Sequence, residues 1–168
     1  MCRDKIYRLE ELVKVRERFK KKKIKVIFTN GCFDLIHGGH IYLFQMCQKL
    51  GDVLIVGVND DVSVKKIKGP MRPLFPLNER LEILSAIQEI DCLVSFSEAI
   101  PRKLIAELRP DILAKGGDWR PDEVVGKKEV EEEGGEVKII PYQKGHSTSQ
   151  VIEKIVNRVK GGDNLKQK

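Results

Sequence analysis

The sequence predicts an α/β fold with a parallel sheet, and three observations carry that prediction. Short runs rich in Val, Ile and Leu alternate with amphipathic stretches along the chain, the pattern of successive βαβ units. Runs such as Val53-Leu54-Ile55-Val56 are apolar at every position, as in strands covered on both faces. The first run ends in a glycine-bearing turn, Asn30 to His40, that leads directly into a helical pattern. Right-handed crossovers then put helices on both sides of the sheet, giving three layers.

Leu9, Leu12, Val13, Arg16 and Phe19 recur at helical spacing, so residues 1–24 read as an N-terminal helical extension. Strands are expected at 25–29, 52–58, 91–95, 111–115 and 136–141, each short and β-branched or leucine-rich. Helices are expected at 38–50, 60–66, 79–89, 99–108, 123–133 and 148–159. Lys68 to Pro76 is too rich in proline for either and reads as an irregular segment. Residues 25–160 make one domain, within the usual size of roughly 100–200 residues. Residues 161–168 have little to bury and read as a frayed tail.

Composition narrows the class. With 41% hydrophobic and 33% charged residues the chain is of globular type. No apolar run approaches the roughly 20 residues of a membrane span, and Met1-Cys2-Arg3-Asp4-Lys5 starts no signal-peptide pattern. Cys2, Cys32, Cys47 and Cys92 are scattered, with no metal or disulfide spacing, which fits a reducing cytoplasm. The net charge of +6 suits a phosphate-rich small substrate. Lys20-Lys21-Lys22-Lys23 reads as the solvated end of a helix, where cations complement the dipole, rather than as a nucleic-acid patch.

The chemistry concentrates in a few segments. His37 and His40, two of three histidines in the chain, sit where a strand turns into a helix. Unpaired amides and the helix dipole favour an anion there. Gly31, Gly38 and Gly39 allow close approach of backbone and ligand. A second polar, glycine-rich turn, Lys115-Gly116-Gly117-Asp118-Trp119, comes after the strand at 111–115. Its own reading is a turn in which Asp118 caps the next segment, while Trp119 can stack on a ligand or seal the pocket. In Gly145-His146-Ser147-Thr148-Ser149, Ser147 or Thr148 is placed to cap the last helix, and the same N-terminus can hold a phosphate. Lys65, Lys66 and Lys68 open the irregular segment as a surface charge cluster, and Arg80 in Asn78-Glu79-Arg80 suits a simple salt bridge.

Thr29-Asn30-Gly31-Cys32-Phe33-Asp34-Leu35-Ile36-His37-Gly38-Gly39-His40 resembles the HIGH signature of the nucleotidyltransferase superfamily, in its cytidylyltransferase-like form. The resemblance runs to about residue 157. It is most similar to the heptose 1-phosphate adenylyltransferases; glycerol-3-phosphate cytidylyltransferase is a more distant relative.

That resemblance implies a Rossmann-like nucleotidyltransferase fold with a five-stranded parallel sheet in the order 3-2-1-4-5. The crevice then lies where the strand order reverses, between the turns after 25–29 and 111–115. It implies that His37 and His40 bind the triphosphate, and that Lys68 and Lys66 supply cations to the transferring phosphate. Thr29, Asn30, Gly31, Phe33, Asp34, Gly38, Gly39, Gly116, Gly117, Asp118, Trp119, Ser147, Thr148 and Ser149 would surround the nucleotide. Arg72 and Arg80 would address a substrate phosphate. Tyr142 stands where some relatives carry arginine, with Lys144 nearby.

The implied reaction is transfer of AMP from ATP to D-glycero-β-D-manno-heptose 1-phosphate, giving ADP-heptose and pyrophosphate for lipopolysaccharide core or surface glycan synthesis. Such an acceptor is anionic already and needs no general base, only alignment and charge stabilisation. Mg²⁺ would come with ATP, with Asp34 as its one protein ligand, and no metal cage of protein groups alone or organic cofactor is implied. The expected partners are those two small molecules and a second copy of the chain, with no nucleic acid or membrane. Two alternatives stand beside this one. One is a cytidylyltransferase acting on glycerol 3-phosphate or a related small phosphate. The other is a non-catalytic nucleotide- or RNA-binding module, against which the chain has no K-M-S-K-S-like segment.

Overall fold

The computed structural model describes residues 5–117, 119–120, 123–141 and 148–160. In chain order the elements are β1 (Ile6–Tyr7), α1 (Leu9–Lys21), β2 (Val26–Gly31), α2 (Gly38–Gln48), β3 (Val53–Asn59), α3 (Asp61–Lys68) and α4 (Leu77–Ser85). Next come β4 (Cys92–Phe96), α5 (Arg102–Leu108), β5 (Ile112–Gly116), α6 (Lys127–Glu132), β6 (Glu136–Ile140) and α7 (Thr148–Lys160). Among the described residues no helix is long and apolar enough to cross a membrane.

The strands form one parallel sheet of six in the order β1-β4-β3-β2-β5-β6. This corrects the expected five strands in the order 3-2-1-4-5. The additional strand is β1, where Ile6 pairs with Leu93 and Tyr7 with Val94 at the sheet edge. Two residues are too few to leave a period in a sequence. Without β1 the remaining order is β4-β3-β2-β5-β6, and β2 lies between β3 and β5. The strand order reverses at β2, so the crevice above it is the natural ligand position of such a sheet.

Strand alternation sorts the core into two layers. Val26, Phe28, Ile55, Val94 and Leu113 pack with Leu12 of α1, Leu104 and Leu108 of α5 and Val130 of α6. Ile27, Leu54, Val56, Leu93 and Ala114 pack on the other face with Phe44 and Cys47 of α2 and Leu84 of α4. The expected extension at 1–24 thus supplies an edge strand as well as a helix. Arg16, a charged residue on the apolar stripe of α1, is buried. It donates to the carbonyls of Leu108 and Arg109 and to the Asp111 carboxylate, which also accepts from the Val26 amide at 2.7 Å. One side chain therefore ties α1 to the end of α5 and the start of β2.

The lysine segment also differs from expectation. Lys65 and Lys66 fall in the expected helix, but α3 runs on through Lys68, which was expected to open the irregular stretch. Asp60 caps this helix by accepting from the Ser63 amide at 2.7 Å, and Val64 anchors it in the core. Gly69, at φ 98°, ends it in a backbone region that favours glycine. Three lysines in the final turn complement the helix dipole.

Candidate active site

A cleft of about 510 Å³ opens at the carboxyl ends of the strands. Asn30 and Gly31 of β2, Asn59 of β3, Lys115 and Gly116 of β5 and Ile140 of β6 form its floor. His37, Gly39 and His40 border it at the start of α2, and Thr148 and Ser149 at the start of α7. The two glycine-rich turns singled out in the sequence therefore meet at one crevice.

His37 is the N-cap residue of α2 in extended conformation, and His40 lies in the first turn. Their rings stack with centroids 3.8 Å apart and 20° between planes. Phe33 stands edge-on to His40 at 5.2 Å and also packs on Phe44, so the His40 ring is wedged from two sides. Phe33 holds that place with φ at 46°, a left-handed conformation costly for a bulky side chain, of the kind that collects at functional sites. Burial, reinforced by the neighbouring His37, pushes the His40 pKa down to about 3. At neutral pH His40 is an uncharged imidazole with one N–H to donate. Its Nδ1 is buried and makes no hydrogen bond among the described residues.

Asp34 is almost wholly buried and its carboxylate accepts three hydrogen bonds. Arg72 Nε donates to Oδ2 at 2.5 Å, and the amides of Leu74 and Phe75 donate to Oδ1 at 2.7 and 3.0 Å. Asp34 therefore anchors the segment after α3. Among the described residues no group of three or more His, Cys, Asp or Glu is arranged to hold a metal ion.

Arg80 takes the salt-bridge role that the residues alone suggested, apart from the substrate contact that the resemblance implied. Its side chain is 0% exposed and lies outside the cleft. It donates to the carbonyls of Phe75, Cys32 and Asn59 and to the Asp61 carboxylate, uniting the ends of β2 and β3 with α3. Four of its five N–H donors are thus spent on the protein, and the side chain is closed off from solvent.

The other expected residues divide between the cleft, the solvent and the core. Phe33, Lys68, Arg72, Gly117 and Trp119 line the cleft with those already named, and Trp119 is 52% exposed at its rim. Lys66 points to solvent and Gly38 is exposed outside the lining. Thr29 is buried beneath the floor, where its hydroxyl makes no hydrogen bond among the described residues. Asp118 and Ser147 lie outside the described residues. Sequence reasoning did not assign Cys32, Tyr42, Leu43, Asn59, Ala99, Lys115, Ile140 or Pro141 to the site. Lys115 left a signal that could have found it, a cation at the last inward position of an otherwise apolar strand.

A family model described as cytidylyltransferase-like matches residues 28–154. The chain belongs to the cytidylyltransferase-like family. The bifunctional protein HldE of Syntrophotalea carbinolica is 48% identical to this cytidylyltransferase-like chain over 153 residues, covering 91% of it. HldE of Actinobacillus pleuropneumoniae serotype 5b is 45% identical over 146 residues, covering 87%. In both, the match takes up 31% of the relative, so the chain spans about a third of their length. A lipopolysaccharide core biosynthesis protein from Thermoplasma volcanium is 32% identical with a TM-score of 0.60, covering 73% of this chain and 99% of that one. Pantoate-β-alanine ligase from Francisella tularensis, bound to β,γ-ATP and β-alanine, superposes with a TM-score of 0.58 over 97% of this chain and 79% of its own. At 16% identity it shares the three-layer Rossmann-like fold alone.

Proposed function

We propose that the chain is an adenylyltransferase moving AMP from ATP to D-glycero-β-D-manno-heptose 1-phosphate, with ADP-heptose and pyrophosphate as products. The observation that carries this reading is a cleft lined by His37, His40, Lys68, Arg72 and Lys115 whose one described carboxylate, Asp34, is already engaged. Such a site has donors for phosphates and, among the described residues, no free carboxylate to activate a neutral nucleophile. It suits an acceptor that arrives as a phosphate dianion. The HldE relatives and the lipopolysaccharide core biosynthesis protein support a sugar phosphate as that acceptor.

The chemistry then needs alignment above all. An oxygen of the acceptor phosphate bonds to the α-phosphorus of ATP. The bond from that phosphorus to the α,β-bridging oxygen breaks, and its electron pair leaves with pyrophosphate. The amides at the start of α2 and the neutral His40 N–H are preorganised to meet the charge on the triphosphate. Lys68 adds a mobile point charge at the cleft. A divalent cation, Mg²⁺ in this reading, would come with ATP and would supply charge neutralisation to the leaving pyrophosphate, with Asp34, which already accepts three hydrogen bonds, as the described carboxylate of the cleft.

Pyrophosphate release tests the proposal when ATP and CTP are each crossed with the heptose 1-phosphate and with glycerol 3-phosphate. ATP with the β-anomer is expected to turn over, and the α-anomer much more slowly. Preference for CTP with glycerol 3-phosphate would overturn it.

A further inference from the structure

Three polar side chains close the sheet on the face away from α2. Along β2, Val26 and Phe28 enter the core layer under α1 and α5, so Asn30 is next on that face. Ile55 of β3 and Leu113 of β5 belong to the same layer, which places Asn59 and Lys115 there too. All three line the cleft, with Ala99 beyond β4. The cleft thus wraps around the end of the sheet. His37, Gly39, His40 and Leu43 border its α2 side; Asn30, Asn59, Ala99 and Lys115 border the other.

Lys115 is costly where it stands. Its ammonium donates to Asn30 Oδ1 and has no carboxylate partner among the described residues. Burial pulls its pKa down to about 8, the mark of a charge that the fold itself disfavours. The contrast with Arg80 is plain, because that buried cation is met by three carbonyls and a carboxylate. An ammonium only donates, so the amide oxygen of Asn30 must face it and the Asn30 NH₂ must turn elsewhere. A largely buried cation, oriented by a neutral neighbour and open to a cleft, is a group awaiting an anion.

The reaction geometry says which anion. Attacking and leaving oxygens stand roughly in line on opposite sides of the α-phosphorus. With the triphosphate on the histidines and the start of α2, the acceptor approaches from the opposite side of the sheet end. Among the described side chains that strand alternation places there, Lys115 is the only cation. We propose that Lys115, oriented by Asn30, binds the phosphate monoester of the acceptor and sets its approach to the nucleotide. This inference deepens the proposed function and rests on it.

The test is steady-state pyrophosphate release with ATP and sugar 1-phosphate varied in turn. Lys115→Met is expected to raise the acceptor KM at least tenfold while the ATP KM stays within about twofold. It should melt no lower than wild type, because an apolar chain of similar length removes a desolvation cost. Lys115→Arg, which keeps the charge, should recover part of the acceptor KM. A raised ATP KM with an unchanged acceptor KM would overturn the assignment, as would a fall in kcat with neither KM altered. If wild type turns over no sugar 1-phosphate, the proposed function is at fault, and inorganic phosphate titrated against the ATP complex then reads Lys115 directly. Wild type should bind it at least fivefold more tightly than Lys115→Met, and equal affinities would overturn the inference.

Discussion

At the amino-terminal end of the sheet, Arg16 meets Asp111 at 3.1 Å, Lys20 meets Glu133 at 3.8 Å and Lys25 meets Glu136 at 3.9 Å. At the carboxyl end, the single described carboxylate of the cleft is held by Arg72 at 2.5 Å, while Lys68 and Lys115 have no acid partner among the described residues. Both ends are basic, yet only at the first is each of these cations matched by a carboxylate among the described residues. Arg16 also meets the last carbonyls of α5 and joins three elements at strand starts, so its charge is spent on the fold. Lys68 and Lys115 at the opposite end line the cleft without an acid partner among the described residues and are available to a ligand. Net charge alone would not have separated the two; the pairing does.

The largest effect should come from the unpaired end. His40→Ala is expected to lower kcat by about 10²–10³, the usual loss for one preorganised donor to developing charge. Its melting temperature should stay near wild type. A folded variant keeping more than about a third of wild-type turnover would break the distinction between the ends.

Arg16→Met should do the reverse. Removing one partner of a buried pair costs about 3–5 kcal/mol; because Asp111 is 41% exposed, a loss nearer to about 2–3 kcal/mol is expected in urea denaturation. Turnover at 25 °C should remain within about twofold. A stable but inactive Arg16→Met would place function at the wrong end.

Lys68→Ala should lower kcat roughly tenfold with a smaller change in ATP affinity, since its charge matters most as the phosphorus is transferred. Collapse of ATP binding with kcat intact would make Lys68 a ground-state contact.

The smallest effect is a pH dependence. The His40 pKa is depressed from 6.5 to about 3 in the folded chain, so the unfolded chain takes up a proton first as pH falls. Its stabilising contribution is complete above about 6.5 and is lost on descent toward about 3, with a slope of at most about 1.4 kcal/mol per pH unit. Urea denaturation between pH 7.5 and pH 4.5 should therefore show a steeper loss for wild type than for His40→Gln. Parallel curves would contradict the buried, neutral state.

Much of this was legible in the residues. The alternation of apolar runs and amphipathic stretches located β2 to β6, because buried parallel strands and one-faced helices have different periods. The turn at Asn30 to His40 stood out because glycine and histidine have little structural reason to cluster at a helix start. The misses have physical causes. Ile6 and Tyr7 form a strand only because β4 offers an edge. Arg80 resembled a substrate arginine because sequence cannot tell an exposed guanidinium from one surrounded by carbonyls. Asp34 accepts from the amides of Leu74 and Phe75, contacts that no local pattern announces, since Leu74 lies 40 residues away in sequence. Lys115 belonged to a recognised segment, but its meaning depends on which face of β5 it occupies and on what fails to pair with it.

Hydrogen exchange resolved residue by residue, with and without ATP and Mg²⁺, tests the contrast between the two ends most directly. Protection is expected at residues 30–40 and 115–117, with no change around Arg16, Lys25 and Asp111. Protection confined to the amino-terminal end, or none at the start of α2, would contradict the account.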